Sequence, residues 1–135
     1  MEAAFSIWRN ILSKCAFCEV DKNLIINSSD LFYVIRDTYP VTYLHTLIIS
    51  KRHVETYFNL NDEELSELPS VIKAERQSLI EIDKSIKAFN IGMNSGAEAG
   101  QTIFHFHVHL IPRRTGDVKD PRGGVRGVIP DKQNY

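Results

Sequence analysis

An α+β fold built on an antiparallel sheet is predicted for this 135-residue chain. Two observations predict it. Short runs rich in β-branched and aromatic residues recur between clusters of turn residues, and a single long stretch carries apolar residues at helical spacing. Strands in short runs beside one long helix are the pattern of an α+β domain. The length suits one domain with a core that needs no disulfide.

In chain order, residues 4–14 read as a short helix, with Phe5, Ile7, Trp8, Ile11 and Leu12 apolar. Residues 24–27 and 31–36 read as strands joined by the turn-rich Asn27-Ser28-Ser29-Asp30, a hairpin signal. Residues 46–50 are a further strand, and residues 51–57 a helical turn. Asn61 is an N-cap ahead of Asp62, Glu63 and Glu64, whose charges suit the first turn of a helix. That helix runs to about residue 85 with Leu65, Leu68, Val71, Ile72, Leu79, Ile82 and Ile86 apolar, and Pro69 predicts a kink or a restart. Glu63, Glu64, Glu67 and Glu75 read as its solvated face. Residues 89–94 form a strand, 95–102 a glycine-rich loop and 103–111 a last strand. From Pro112 the chain is rich in Gly, Pro and Arg and reads as irregular. The division expected is a domain over 1–112 and a basic tail over 113–135, in which Arg113, Arg114, Arg122, Arg126 and Lys132 either reach a polyphosphate or lie solvated.

Sixteen Lys and Arg against seventeen Asp and Glu give a net charge of −1, so charge offers no argument for nucleic acid or an anionic membrane. No apolar run approaches the ~20 residues that span a bilayer, and the first residues lack a basic region leading into an apolar core. A cytoplasmic location is expected. The two cysteines, Cys15 and Cys18, are spaced C-x-x-C, which in a reducing compartment points to metal or redox chemistry rather than a structural disulfide.

The most informative segment is His105-Phe106-His107-Val108-His109-Leu110-Ile111. On a strand, alternate side chains share a face, so three imidazoles would line one side at intervals of about 6.5–7 Å while Phe106, Val108 and Leu110 face a core. Three histidines so placed either bind a metal or present a nucleophile flanked by groups that orient it and handle charge. The loop before them, residues 94–102, offers backbone N–H groups near glycine together with Asn94, Ser95, Gln101 and Thr102 as neutral donors. Donors leading into a nucleophilic strand fit phosphoryl or nucleotidyl transfer.

The chain resembles the histidine triad family of nucleotide hydrolases and transferases. The triad signature is matched by residues 105–111, and the stretch before it by Asn94-x-Gly-x-x-Ala99-Gly100-Gln101. Upstream blocks are matched by His45-Thr46-Leu47-Ile48-Ile49-x-Lys51-Arg52-His53-Val54 and by Asp37-x-x-Pro40-Val41. Together these cover residues 15–112. The tail residues 123–130 further resemble bacterial members described as dinucleoside polyphosphate hydrolase-like.

The resemblance implies a five-stranded antiparallel sheet with two main helices, the sheet continuing across a homodimer. It implies that His107 attacks the α-phosphorus of a purine nucleotide conjugate, a dinucleoside polyphosphate or a nucleoside phosphoramidate. A nucleotidyl-histidine forms, which water opens to a nucleoside monophosphate. His109 and Gln101 would contact phosphate and leaving group. The carbonyl of His105 would fix the tautomer of His107. Asn94 and Thr102 would add phosphate contacts, Asp37 would bind the ribose, and Phe17, with Phe32 and Val34, would line a base pocket. His45 is expected near the nucleotide. No organic cofactor is expected. Some bacterial members use two cysteines, the histidine of the Lys-x-His block and the first triad histidine to hold a structural zinc, which here gives Cys15, Cys18, His53 and His105.

Two positions depart from the family pattern. Tyr43-Leu44 stands where Pro-Gly is usual before His45, and Ser50 where proline is common. Other readings of the same residues are a zinc hydrolase with the three triad histidines as catalytic ligands, a nucleotide-binding module without turnover, and a transferase. Hydrolysis is favoured over transfer because the uridylyltransferase branch has glutamine at the position of His109.

Overall fold

A computed structural model describes residues 15–135, so the helix expected over 4–14 lies outside the described residues. Five strands form one sheet: β1 (Ile25–Ser28), β2 (Phe32–Arg36), β3 (Thr46–Ser50), β4 (Ala88–Gly92) and β5 (His107–Arg113). Their order is β1-β2-β3-β5-β4, and every neighbouring pair is antiparallel. The hairpin of β1 and β2 is present, with a register shift between Ile25 and Asn27. One long helix, α1 (Asp62–Ile82), lies on one face of the sheet.

The alternation within the strands sets two cores. Phe32, Val34, Ile48, Phe106 and Val108 pack with Leu68 and Val71 of α1. On the opposite face Phe17, Tyr33, Ile35, Leu47 and Ile49 form a second cluster. Because β2 and β3 are buried on both faces, their runs are continuously apolar where a half-exposed strand would alternate. Phe32 and Val34, expected beside a base, therefore lie in the core under the helix, away from the face that carries His107 and His109.

The helix passes through Pro69 without a break. The ring removes one backbone hydrogen bond, and burial of Leu68 and Val71 on either side holds the turn together. The helix ends at Ile82, before residue 85, because the Asp83 carboxylate accepts from the backbone N–H and hydroxyl of Ser85 and turns the chain. The helical turn expected at 51–57 falls instead at Tyr57–Asn59 as a 3-10 turn. Among the described residues no helix is long and apolar enough to cross a membrane.

The expected acidic face of α1 is mostly engaged. Glu63 is exposed, but Glu64 and Glu75 are buried at 1% and 2% exposure. Glu75 accepts from the Asn27 amide, and Glu67 accepts from the Ser29 hydroxyl and the Leu31 N–H. Glu64 completes a capping box with Asn61 and accepts from the Arg52 guanidinium at 2.7 Å. The reason is geometric: these carboxylates face the turns at the ends of β1, β2 and β3, whose donors need partners.

The last strand is shifted from 103–111 to His107–Arg113. β3 supplies ladder partners only as far as Ile49, opposite His107, so residues 103–106 leave the sheet. There the Phe106 N–H donates to the Val54 carbonyl at 2.7 Å. At the other end β3 pairing stops at Leu110, leaving Pro112 paired with β4 alone, where a missing N–H is tolerated.

Burial raises the Glu64 carboxyl, but the Arg52 hydrogen bond and the Asn61 backbone N–H outweigh it, and the net direction is down. A carboxyl with a depressed folded value contributes stability above its unfolded value of 4.5, lost as pH falls through the lower folded one. Glu64→Gln should cost about 2 kcal/mol at pH 7. In urea unfolding the gap to wild type should close on acidification, and a gap unchanged at low pH would show that the charge does not matter.

Candidate active site and metal centre

Register brings the site together. Leu47 lies opposite His109 and Ile49 opposite His107, so both histidines project from the face that carries the Phe17 cluster. The Tyr33 hydroxyl donates to the Phe17 carbonyl and pins that segment to the sheet. The Phe17 ring then meets His107 edge-on, with centroids 5.0 Å apart.

The tautomers follow from partners that have only one role. A carbonyl can only accept, so His107 Nδ1 carries the hydrogen it donates to the His105 carbonyl at 2.7 Å. Its Nε2 is left with a lone pair. The Val41 N–H can only donate, so His45 Nδ1 accepts at 3.1 Å and the hydrogen of His45 sits on Nε2. That Nε2 lies 2.9 Å from His109 Nδ1, which therefore accepts, placing the hydrogen of His109 on Nε2. An acceptor on His107 thus stands beside a donor on His109, with ring centroids 5.3 Å apart.

Asp37 faces the same pair, its Oδ2 being 3.5 Å from His45 Nε2 and 4.0 Å from His109 Nδ1. Burial, reinforced by His107 and His45, pushes the His109 imidazole down to about 4 despite Asp37. Burial also lowers His45, again against Asp37. Both rings are neutral at pH 7, as the hydrogen-bond chain requires.

His105 is not on the strand. Its ring is fully buried and turned from the other two, with Nε2–H donating to the Ser50 carbonyl at 2.6 Å. The lone pair of Nδ1 then points at Cys15 Sγ and Cys18 Sγ, each 3.4 Å away, and at His53 Nδ1, 3.1 Å away. Cys18 Sγ and His53 Nδ1 are 3.1 Å apart. The ligand atoms of Cys15, Cys18, His53 and His105 all lie within 4.8 Å of one another. A tetrahedral zinc holds its nitrogen and sulfur ligands roughly 3.3–3.8 Å apart, so the set fits with shifts of a few tenths of an ångström. Burial and the neighbouring Cys15 push the Cys18 thiol up to about 11, so a Cys18 thiolate here calls for a cation. The Ser50 carbonyl supplies the outer-shell contact that orients a ligating histidine. The triad does not converge as a metal set: among the described residues, each group of metal-competent side chains holds a single triad histidine.

Gln101 is 4% exposed and fully committed within the loop. Its amide donates to the carbonyls of Glu55 and Ile103, and its oxygen accepts from the Gly96 N–H at 2.8 Å. Gly96, at φ 105°, adopts a backbone that a side chain would strain. Asn94 is exposed and borders the same cavity as His109, and Thr102 is exposed at the loop end. Leu44 keeps the left-handed backbone of the usual glycine, at φ 70°. Its side chain packs against Leu79, Ile86 and Leu110, and the Arg114 guanidinium donates to the Tyr43 carbonyl and lies 5.6 Å over the Tyr43 ring. Sequence reasoning did not anticipate the direct contact of His45 with His109, 64 residues away, nor the role of the Ser50 carbonyl. No local spacing signals either.

A family model described as the HIT domain matches residues 18–116. The chain belongs to the HIT family. Its fold matches that of a zinc-bound histidine triad family protein from Mycobacterium smegmatis, with a TM-score of 0.71 and 31% identity over 79% of this chain and 80% of that one. It is 33% identical to an adenylylsulfatase of Arabidopsis thaliana over 76% of this chain and 54% of the relative. It is 38% identical to an asymmetrical bis(5'-nucleosyl)-tetraphosphatase of Schizosaccharomyces pombe over 60% of this chain and 44% of the relative. The family thus includes proteins named as hydrolases of nucleotide conjugates, and HIT proteins bind nucleotides.

Long-range 1H–15N spectra should show His107 as the Nδ1–H tautomer and His45 and His109 as Nε2–H. On acidification His109 should stay neutral until near pH 4. Titration of His109 at the free-imidazole value of ~6.5 would contradict the buried hydrogen-bond chain.

Proposed function

We propose that this chain is a nucleotidyl hydrolase in which His107 is the nucleophile. The observation that carries the reading is the hydrogen bond from His107 Nδ1 to the His105 carbonyl, which leaves Nε2 as a free lone pair on a half-buried side chain. In the first step that lone pair forms a P–N bond to the α-phosphorus of a nucleotide conjugate. The electron pair of the scissile P–O or P–N bond leaves with the displaced group, which takes a proton from water. The imidazolium so formed keeps its Nδ1–H on the His105 carbonyl, which stabilises the charge. His109 Nε2–H donates to oxygens that gain negative charge. Water then attacks phosphorus and gives up a proton to solvent, the P–N pair returns to His107 Nε2, and a nucleoside monophosphate departs. Splitting one hard displacement into two easier ones is the gain of covalent catalysis.

In this reading Asp37 serves the ribose and the histidine pair together, Phe17 flanks the nucleoside, and Asn94 and Thr102 supply donors. Gln101 acts by holding the loop. Cys15, Cys18, His53 and His105 hold a structural zinc, which would fix the N-terminal segment to the start of β5 and supply no chemistry of its own, since four protein ligands leave no open position. β4, one of the two edge strands of the sheet, is where a second copy would extend it into a homodimer. A reducing compartment such as the cytoplasm keeps both thiols available to the metal.

The test is release of AMP from diadenosine tetraphosphate and from adenosine 5'-phosphoramidate. His107→Ala should lower kcat by at least about a thousandfold while the fold persists. Acid quenching of wild type should trap a nucleotidyl-protein that the variant never forms. Chelator should lower thermal stability and leave the initial rate intact. Retained turnover in the variant, or immediate loss of rate with chelator in a folded protein, would sink the reading.

A further inference from the structure

The peptide unit between His105 and Phe106 carries the bond that sets the tautomer of His107, and it is gripped at both ends. Its carbonyl accepts from His107 Nδ1 at 2.7 Å. Its N–H, that of Phe106, donates to the Val54 carbonyl at 2.7 Å. A hydrogen bond at the N–H end of a peptide polarises the oxygen at the other, so the Val54 contact strengthens the acceptor that faces His107. The next peptide is held as well, because the Phe106 carbonyl accepts from the Ser50 N–H at 3.3 Å. The orientation of both peptides therefore depends on residues 50–54.

Residues 51–54 belong to no strand or helix, so no ladder shapes them. Ser50, fully buried at the end of β3, does so instead. Its hydroxyl donates to the Arg52 carbonyl at 2.8 Å, across the bend by which the chain leaves the sheet. Its carbonyl accepts from His105 Nε2–H at 2.6 Å. The bend is anchored further by the Lys51 N–H, which donates to the Leu31 carbonyl at 2.9 Å, and by the Arg52 guanidinium on Glu64 and the Asn59 carbonyl. Proline, common at position 50 in the family pattern, has neither an N–H for Phe106 nor a hydroxyl for Arg52. Those two contacts come with the serine.

Resting on the hydrolase reading above, we propose that Ser50 is a positioning residue for the nucleophile: its hydroxyl shapes the 50–54 bend so that Val54 holds the His105–Phe106 peptide with its oxygen aimed at His107 Nδ1. Without the hydroxyl the bend relaxes, the Val54 contact lengthens and the His105 carbonyl turns from His107. The ring then populates the Nε2–H tautomer, in which the lone pair that attacks phosphorus is gone. Ser50 acts on the state of His107 and has no part in holding the nucleotide, so its effect falls on the chemical step and not on binding.

The test is Ser50→Ala in the full chain at matched metal content, which keeps the backbone N–H and carbonyl and removes the hydroxyl alone. The kcat for AMP release from adenosine 5'-phosphoramidate should fall about fivefold, the scale of one hydrogen bond, with KM within about twofold of wild type. Long-range 1H–15N spectra should show an Nε2–H form of His107 beside the Nδ1–H form that wild type shows alone. Asn27→Ala, which strips the buried Glu75 of a donor at the far edge of the sheet, should lower the melting temperature while leaving kcat and the His107 tautomer as they are. That control separates positioning from loss of stability. An unmixed Nδ1–H tautomer in Ser50→Ala overturns the proposal, as does a loss confined to KM or the same mixing in Asn27→Ala. Hydrogen exchange of wild type gives a reading that needs no variant. The Phe106 amide should exchange as slowly as the amides of the β3–β5 ladder, and exchange at the rate of an open loop also overturns the proposal. No AMP from wild type with either phosphoramidate or diadenosine tetraphosphate overturns the hydrolase reading, and the spectra then decide the placement by Ser50 separately.

Discussion

His105 is held at three points, and the rest of the site depends on how they are divided. Its carbonyl accepts from His107 Nδ1, its Nε2 donates to the Ser50 carbonyl, and its Nδ1 faces the Cys15–Cys18 pair. The residue can serve both centres because the chain leaves the sheet just before His107. Had the strand continued from residue 103, the carbonyl of His105 would have been aimed at a neighbouring strand. The end of the β3 ladder at Ile49 therefore shapes the candidate site. Ser50 contributes twice at that end, since its N–H also donates to the Phe106 carbonyl, a bond that the proline common at this position lacks.

The same economy governs the electrostatics. Imidazoles close together would repel one another if charged. Burial keeps His45 and His109 neutral, and each ring nitrogen in the chain has one role. The Val41 N–H sets the tautomer of His45, which sets that of His109. The donor at His109 is thus fixed by a backbone amide two residues removed in the hydrogen-bond chain. Asp37 sits close enough to favour a positive charge on this pair, yet burial dominates. In the proposed hydrolase, the donor on His109 beside the Nε2 lone pair of His107 suits a phosphorus centre that already carries negative charge.

Much of this was legible in the sequence, and the failures have physical causes. The strand at Thr46–Ser50 was read to the residue because an unbroken apolar run between turn signals leaves few alternatives. The alternation around His107 and His109 placed Val108 and Leu110 in the core, as found. His105 matched the same alternation but left the strand, because ladder length is set by the partner strand and not by the segment itself. Glu64 and Glu75 misled for a related reason. Their spacing along α1 looks solvated, and only the fold shows that Arg52 and Asn27 wait opposite them. The clustering of Cys15, Cys18, His53 and His105 was legible only through family resemblance, since Cys18 and His105 are 87 residues apart.

The replacement of Pro-Gly by Tyr43-Leu44 shows how a backbone requirement outlives the residue that usually meets it. Leu44 still adopts the left-handed conformation, at a cost of roughly 1–2 kcal/mol for an L-residue. The compensation is local. The leucine packs against Leu79, Ile86 and Leu110, contacts that glycine cannot make, and burial of such a side chain is worth a similar amount. On the other side Arg114, anchored by Asp83, grips the Tyr43 carbonyl and ring. The turn that delivers His45 to His109 is thus held by side-chain packing and one arginine, where the family pattern uses proline rigidity and glycine freedom.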